Sequence, residues 1–325
     1  MAAKESGGAN QSHDAQLSNV ALLYYKEGLT QSEISARIGV SRATIVNYLR
    51  QAREQGIVDI RIKGEAFSTS NLSRDLRDKF GLTDVYIAGT DPTAPPTQQQ
   101  VSEQVAHVAA MAMFDLLVPG DRLGVAWGET MQMVSQAFPR RTIENLSVCQ
   151  LLGSMSLPTT AAAEACTIQI ANNTGARCYT LHAPAIVSNS ELARQLREEP
   201  VIASQLAEFS QLTKAYFSVG AMDDATLMVT SGMCSHEQLE AYRARGAKAI
   251  LCGHFIDADG NALDGDIEDR LIGISTQQLK SIPVRMFVSN GVQKRDPIRA
   301  VVAGGYASHL VTDEATALHL LRDGD

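Results

Sequence analysis

The sequence has few cysteines and no pairing among them. Cys149, Cys166, Cys178, Cys234 and Cys252 are odd in number, and none stands in a C-x-x-C spacing. That spacing argues against a zinc site and against a disulfide framework, and makes a reduced cytoplasm the expected setting. No run approaches the roughly 18 uncharged apolar residues of a membrane span. The opening stretch MAAKESGGANQSHDA contains no apolar segment; it predicts no signal peptide and reads as a disordered tail over residues 1–15. No internal repeat is visible. A G-x-G-x-x-G fingerprint is also missing, since GVAWGE departs from it. His254 lacks the partners of a metal site. No cofactor, metal or catalytic constellation is therefore expected.

What is present divides into two parts. The chain has 325 residues, enough for two or three domains. Its net charge of −8 is unevenly spread: residues 16–64 carry seven Lys and Arg against four Asp and Glu. That small block is net positive on a strongly acidic body. The asymmetry suits a nucleic-acid-binding unit joined to a larger domain. The expected organisation is a tail over 1–15, a DNA-binding domain over 16–64 and an effector and oligomerisation domain over 65–325.

Within the basic block, Val20, Leu23 and Tyr24 belong to a first helix ended by Gly28. The stretch T-Q-S-E, Thr30 to Glu33, is a capping box for a second helix. Ile34 and Ile38 share one face of it, and Gly39 ends it in the manner of a left-handed C-terminal residue. Ser41 caps a third helix running to about Gln55, with Gly56 as its stop. Two helices joined by a short glycine turn form a helix-turn-helix. Val40, Ile45 and Leu49 point inward. The outward face offers Arg42, Ala43, Asn47 and Arg50, with Ser41, Thr44 and Gln31 beside it. The start of such a second helix enters the major groove. There Arg can bond guanine and Asn adenine, while short hydroxyls suit phosphates or base edges. Ile57 to Ile62 reads as an extended wing, with Arg61 and Lys63 aimed at neighbouring phosphates.

The larger part alternates strands with helices. Strand candidates lie at Val85–Ala88, within RLGVA, and at Leu146–Leu152, Ala215–Val219, Ala249–Cys252, Val284–Val288 and His309–Val311. Alternation of this kind argues for a Rossmann-like, mostly parallel α/β sheet. Ligands of such sheets sit outside the carboxyl ends of the strands, which selects a few loops. In GVAWGETM, Gly128 admits close backbone approach, the N–H groups of Glu129, Thr130 and Met131 form a cradle, and Thr130 adds a hydroxyl. Gly220 ends another strand. Asp257 follows a strand and is placed to accept from ligand hydroxyls, whereas Asp259 reads as turn chemistry. Asn290 and Gly291 precede Lys294, whose ammonium is within reach of a ligand. Glu129 disfavours a phosphate at this helix start unless it points away.

With both parts read, the sequence resembles the SorC family of bacterial sugar-responsive transcriptional regulators. The resemblance rests on LTQSEISARIGVSRATIVNYLRQAREQGIVDIRI, NLSRDLRDKFGLTDVYI, RLGVAWGETM, GHFIDADG and FVSNGVQKRDPIRAVVAGGYASHLVTDEATALHLL, and extends from about residue 16 to the end. It implies an effector domain similar in fold to glucosamine-phosphate deaminase and ribose-phosphate isomerase, and a homo-dimer or tetramer. It also implies that the family's G-x-T loop falls on Gly128 and Thr130, its effector-domain lysine on Lys294 and its loop aspartate on Asp257. Glu129 departs from the residue type expected beside a phosphate, so a polyol or free ketose stands beside a sugar phosphate as effector. The expectation is a cytoplasmic, ligand-controlled regulator that binds double-stranded operator DNA and represses a carbohydrate or polyol catabolic operon. The alternative is a sugar-phosphate isomerase or deaminase-like enzyme with an appended DNA-binding unit, using Asp257 and Lys294 as acid and base.

Overall fold

The computed structural model describes residues 6–58, 67–68, 70–89, 96–155 and 162–322. The chain forms two compact units, Met1–Ile62 and Lys63–Asp325. Among the described residues, no helix is long and apolar enough to cross a membrane.

The first unit is helical. Helix α1, Ser6–Ala21, runs on into one π-helical turn, Leu22–Lys26, before Gly28. Helix α2, Gln31–Ile38, starts at a capping box. The Thr30 hydroxyl accepts from the Glu33 N–H, and the Glu33 carboxylate accepts from the Thr30 N–H at 2.7 Å. Gly39 closes it in the left-handed region at φ +78°. Helix α3, Arg42–Glu54, is capped by Ser41, which accepts from the Thr44 N–H at 3.0 Å. Val20, Leu23, Ile34, Ile45 and Leu49 close the core, with Ile38 and Val40 packed against it.

One expectation changes here, and another is left untested. Residues 6–15 lie within α1 rather than in a disordered tail. The reason is tertiary: Leu17 is fully buried beside Ala52, while His13 hydrogen-bonds Gln51 at 2.8 Å and sets its ring edge-on to Tyr48. Of the wing, only Ile57 and Val58 are described, packed near Leu17, Ala21 and Ala52. Arg61 and Lys63 lie outside the described residues.

The second unit is built on a seven-stranded parallel sheet. Its strands are β1 (Asp84–Ala88), β2 (Arg122–Val125), β3 (Ser147–Gln150), β4 (Arg177–Tyr179), β5 (Lys214–Phe217), β9 (Val284–Val288) and β10 (His309–Asp313). The spatial order is β1-β10-β9-β5-β2-β3-β4. Successive side chains of a strand face opposite ways, and both faces are covered. Tyr216, Met286, Val288 and Val311 enter the core beneath helix α5, Gln98–Leu116. Ala215, Phe217, Phe287 and Leu310 enter the other, which also takes Leu76 from helix α4, Asn71–Phe80. Strands buried on both sides read as continuous apolar runs, which is why most were visible in the sequence.

A separate antiparallel sheet has the order β6-β7-β8, with β6 at Val219–Gly220, β7 at Ala249–Leu251 and β8 at His254–Ile256. The run Ala249–Cys252 therefore does not join the parallel sheet. Cys252 and Gly253 both have positive φ, +49° and +84°, the requirement of a two-residue hairpin turn, so the chain folds straight back. The run Ala215–Val219 is likewise split. β5 ends at Phe217, and after Ser218 the chain enters β6 in the other sheet.

Candidate functional site

β2 and β5 are neighbours, yet the chain leaves them in opposite directions, toward β3 and β4 from one and toward β9 and β10 from the other. This is a topological switch point, where an open α/β sheet leaves a crevice beyond its strand ends. A cavity of about 250 Å³ lies there, close to the lower end of the roughly 300–1,000 Å³ common for ligand clefts. Trp127, Gly128, Glu129 and Thr130 line it after β2, Ser218 and Gly220 after β5, and Asp223 and Thr226 from the next loop. Cys252 and Gly253 of the hairpin turn and Lys294 also line it.

Gly128 has φ +115° and ψ 166°, a region open to glycine and very few other residues. A Cβ there would meet nothing nearer than Leu227 Cδ1 at 3.9 Å. The requirement for glycine is therefore set by the backbone and not by crowding. Helix α6, Glu129–Ala137, begins at once, and its first intrahelical bond runs from the Gln132 N–H to the Gly128 carbonyl at 2.9 Å. The N–H groups of Glu129, Thr130 and Met131 have no intrahelical acceptor. Met131 is a correction: it is absent from the cavity lining, and its side chain is fully buried in the core. Glu129 is exposed at the rim and Thr130 is almost wholly buried.

Lys294 ends a short 3-10 turn, Val292–Lys294, that follows β9. Burial holds its pKa below the ordinary lysine value, while the charges of Glu129 and Asp223 act to raise it. Among the described residues its ammonium makes no hydrogen bond or ion pair. Asn290 and Gly291 do not line the cavity; they set the lysine's position. Asn290 Nδ2 donates to Ser102 Oγ at 2.9 Å. The Gly291 N–H donates to Asp313 Oδ2 at 3.1 Å and to Thr316 Oγ1 at 2.8 Å. Asp313 Oδ1 also accepts from the Thr316 N–H at 2.9 Å, capping the last helix, Glu314–Leu321, and Oδ2 accepts from the Thr316 hydroxyl. The T-D-E-x-T-A stretch thus acts on the site through the loop before Lys294.

Asp257 is a correction. It is absent from the cavity lining. One carboxylate oxygen accepts from the backbone N–H groups of Asp259 at 3.0 Å and Asn261 at 2.8 Å, and the other from Asn261 Nδ2 at 3.1 Å. Burial would raise its pKa, but those donors hold it below the usual aspartate value. It is a turn-forming residue whose acceptors are already engaged. His254 is structural too, its Nε2 meeting the Ile274 carbonyl at 2.9 Å. Ser218, Asp223 and Thr226 were not singled out by sequence reasoning. The stretch FSVGAMDD contains two of them, but only the hairpin sheet shows which side chains face the cavity.

In the helical unit, the cap Ser41 and Arg42, Ala43, Asn47 and Arg50 of α3 are exposed, and Thr44 and Gln31 are half-buried. Arg42 Nε donates to Gln31 Oε1 at 3.3 Å. Arg50 donates to Asn47 Oδ1 at 2.7 Å and to Glu54 at 2.6 Å. Val46, which the charge-based reading passed over, is exposed on the same side at 47%.

The Sugar-bind family model, describing a sugar-binding domain, matches residues 65–322. The transcriptional regulator YjhU of Escherichia coli K12 is 35% identical over 312 residues, covering 95% of each chain. The deoxyribonucleoside regulator of Bacillus subtilis is 30% identical, over 93% of this chain and 96% of its own. The crystal structure of the full-length sorbitol operon regulator SorC from Klebsiella pneumoniae superposes with a TM-score of 0.77. It is 24% identical and covers 95% of this chain and 98% of the other, a likeness that speaks for the fold.

Proposed function

Given that the chain belongs to the SorC-type family of sugar-binding transcriptional regulators, we propose that a carbohydrate or polyol bound in the cavity beyond β2 and β5 controls how its α3 helices grip an operator. The observation that carries this reading is a convergence. The helix-start residues Glu129 and Thr130, with their free N–H groups, and a lysine that makes no hydrogen bond or ion pair among the described residues meet in one cavity, beside the faces and hydroxyls of Trp127, Thr130, Ser218 and Thr226. Hydroxyl-rich ligands need donors and acceptors in that mixture, together with an aromatic wall.

The charge balance favours an uncharged polyhydroxyl compound. Glu129 and Asp223 place two carboxylates around one ammonium, so a phosphate entering the cavity meets net negative charge. The chain works as a homo-oligomer in this reading, because paired recognition helices match paired half-sites. Catalysis has no part in it: Asp257 and Lys294, the acid and base of an enzymatic alternative, do not share the cavity. Relatives named as transcriptional regulators point the same way.

Ligand control requires different affinities for two arrangements of the protein, and the coupling is reciprocal. The test is a thermal-shift screen of the full chain against paired free and phosphorylated sugars and polyols, with Trp127 fluorescence as second readout. At 100 times Kd a ligand adds about 2.7 kcal/mol. Hits are then titrated against operator DNA. As a repressor, the protein loses operator affinity by the factor by which the operator lowers ligand affinity. A confirmed ligand that leaves operator affinity unchanged refutes the proposal.

A further inference from the structure

We infer that Val46, with Ala43 one turn before it, reads the 5-methyl group of a thymine in the operator's major groove. The inference rests on the reading of α3 as the groove-entering helix and adds a base-specific role to a residue that charge alone does not point to.

Three observations converge on it. The first is position. Ile45, Leu49 and Ala52 form the buried face of α3, and Ala43, Val46, Asn47 and Arg50 are exposed. Val46 belongs to neither apolar cluster of the helical unit and is 47% exposed. A β-branched residue is a poor choice for an exposed helix position unless something else uses it.

The second is the state of its polar neighbours. Asn47 Oδ1 accepts from Arg50, which is also held by Glu54, and Arg42 is tied to Gln31. Bidentate recognition of adenine needs the amide oxygen of asparagine as acceptor and its nitrogen as donor. Asn47 Oδ1 keeps a second lone pair, but the Arg50 guanidinium already placed on it narrows the approach that bidentate pairing requires. The polar groups of this face are thus partly committed within the protein, and the apolar pair lies open among them.

The third is size and surroundings. One isopropyl group and one methyl make a patch far too small to hold another protein, yet matched to a single methyl group. Arg42, Arg50 and Arg53 flank it, as suits a surface that meets a polyanion. Among base edges of the major groove, only thymine carries such a methyl, and small apolar side chains are its usual partners.

The test uses the full chain and duplexes selected by it from a random library. In the selected site each thymine is replaced singly by deoxyuridine, which removes the methyl and nothing else. Binding is followed by fluorescence anisotropy. Wild type is expected to lose roughly fourfold in affinity at one thymine of each half-site, the worth of one buried methyl-sized group. Val46→Ala is expected to bind thymine and uracil alike at that position, with a melting temperature no lower than wild type, alanine being the better helix former, and with unchanged salt dependence, since no phosphate contact is lost. Val46→Thr keeps one γ-methyl and is expected to keep the discrimination. Indifference of the wild type at every thymine overturns the inference. So does a Val46→Ala variant that retains the full preference. A library from which no selective duplex is recovered refutes instead the proposed function on which the inference rests.

Discussion

Replacing Asp313 with alanine tests how a residue outside the cavity governs it. The Asp313 side chain is almost fully buried and accepts from three donors, the Gly291 N–H, the Thr316 N–H and the Thr316 hydroxyl. Its removal leaves the Thr316 N–H uncapped, at a cost of about 0.5–2 kcal/mol. The Thr316 hydroxyl also loses a charged acceptor, worth about 1.5–3 kcal/mol. Gly291 keeps one partner, Thr316 Oγ1 at 2.8 Å, so its N–H adds little. A total of about 2–4 kcal/mol follows, because the bonds share one carboxylate and do not add fully. For a unit of this size each kcal/mol is worth roughly 2–4 °C, so the melting temperature is expected to fall by roughly 5–15 °C. Ligand affinity is expected to fall as well, measured by isothermal titration at a temperature where the variant is folded, since the loop before Lys294 loses its anchor. Asp313→Asn retains an acceptor for the cap and should recover much of the stability. A stable Asp313→Ala variant with wild-type ligand affinity refutes the coupling between this helix start and the lysine.

Other outcomes follow from the same structure. Arg42→Ala is expected to cost about 1–3 kcal/mol in operator binding and to relax specificity at one base pair, read by competition gel shift; an unchanged operator Kd removes Arg42 from the groove. Lys294→Ala is expected to weaken ligand binding without lowering the melting temperature, because the ammonium is desolvated and unpartnered among the described residues. The buried Lys214–Asp121 ion pair, 2.8 Å across the start of β2 and β5, sets an acid limit. Burial would raise the Asp121 pKa, but donation from Lys214, the Val118 N–H and Thr213 lowers it. A depressed folded pKa stabilises fully above the unfolded aspartate value of about 3.9, and this contribution fades as pH falls through the lower folded value. Lys214→Met strands the carboxylate, at about 3–5 kcal/mol. Its acid-unfolding curve near pH 4 should be shallower than that of wild type, as followed by circular dichroism.

How much of this was legible in the sequence depended on whether the signal was local. The caps at Thr30 and Ser41 and the turn at Gly39 are local chemistry, and they stand where the residues indicate. The long strands buried on both faces announce themselves by composition. β4 escaped notice because its three residues are all exposed at a sheet edge, and β6 because two residues give no pattern. Asp257 misled because an aspartate that builds a turn and one that holds a ligand look alike until their donors are seen. Asp223 and Thr226 were hidden because they join the cavity through a hairpin that pairs in a second sheet. The start of α1 depended on a contact between His13 and Gln51, 38 positions apart, which no short window contains.

The passage between the two sheets carries one further consequence. Ser218 alone separates β5, fourth of seven in the parallel sheet, from β6 at the margin of the other. A single residue spans at most about 3.6 Å, so the link has no slack. Any turn of β6 relative to β5 therefore passes through the backbone of Ser218 alone.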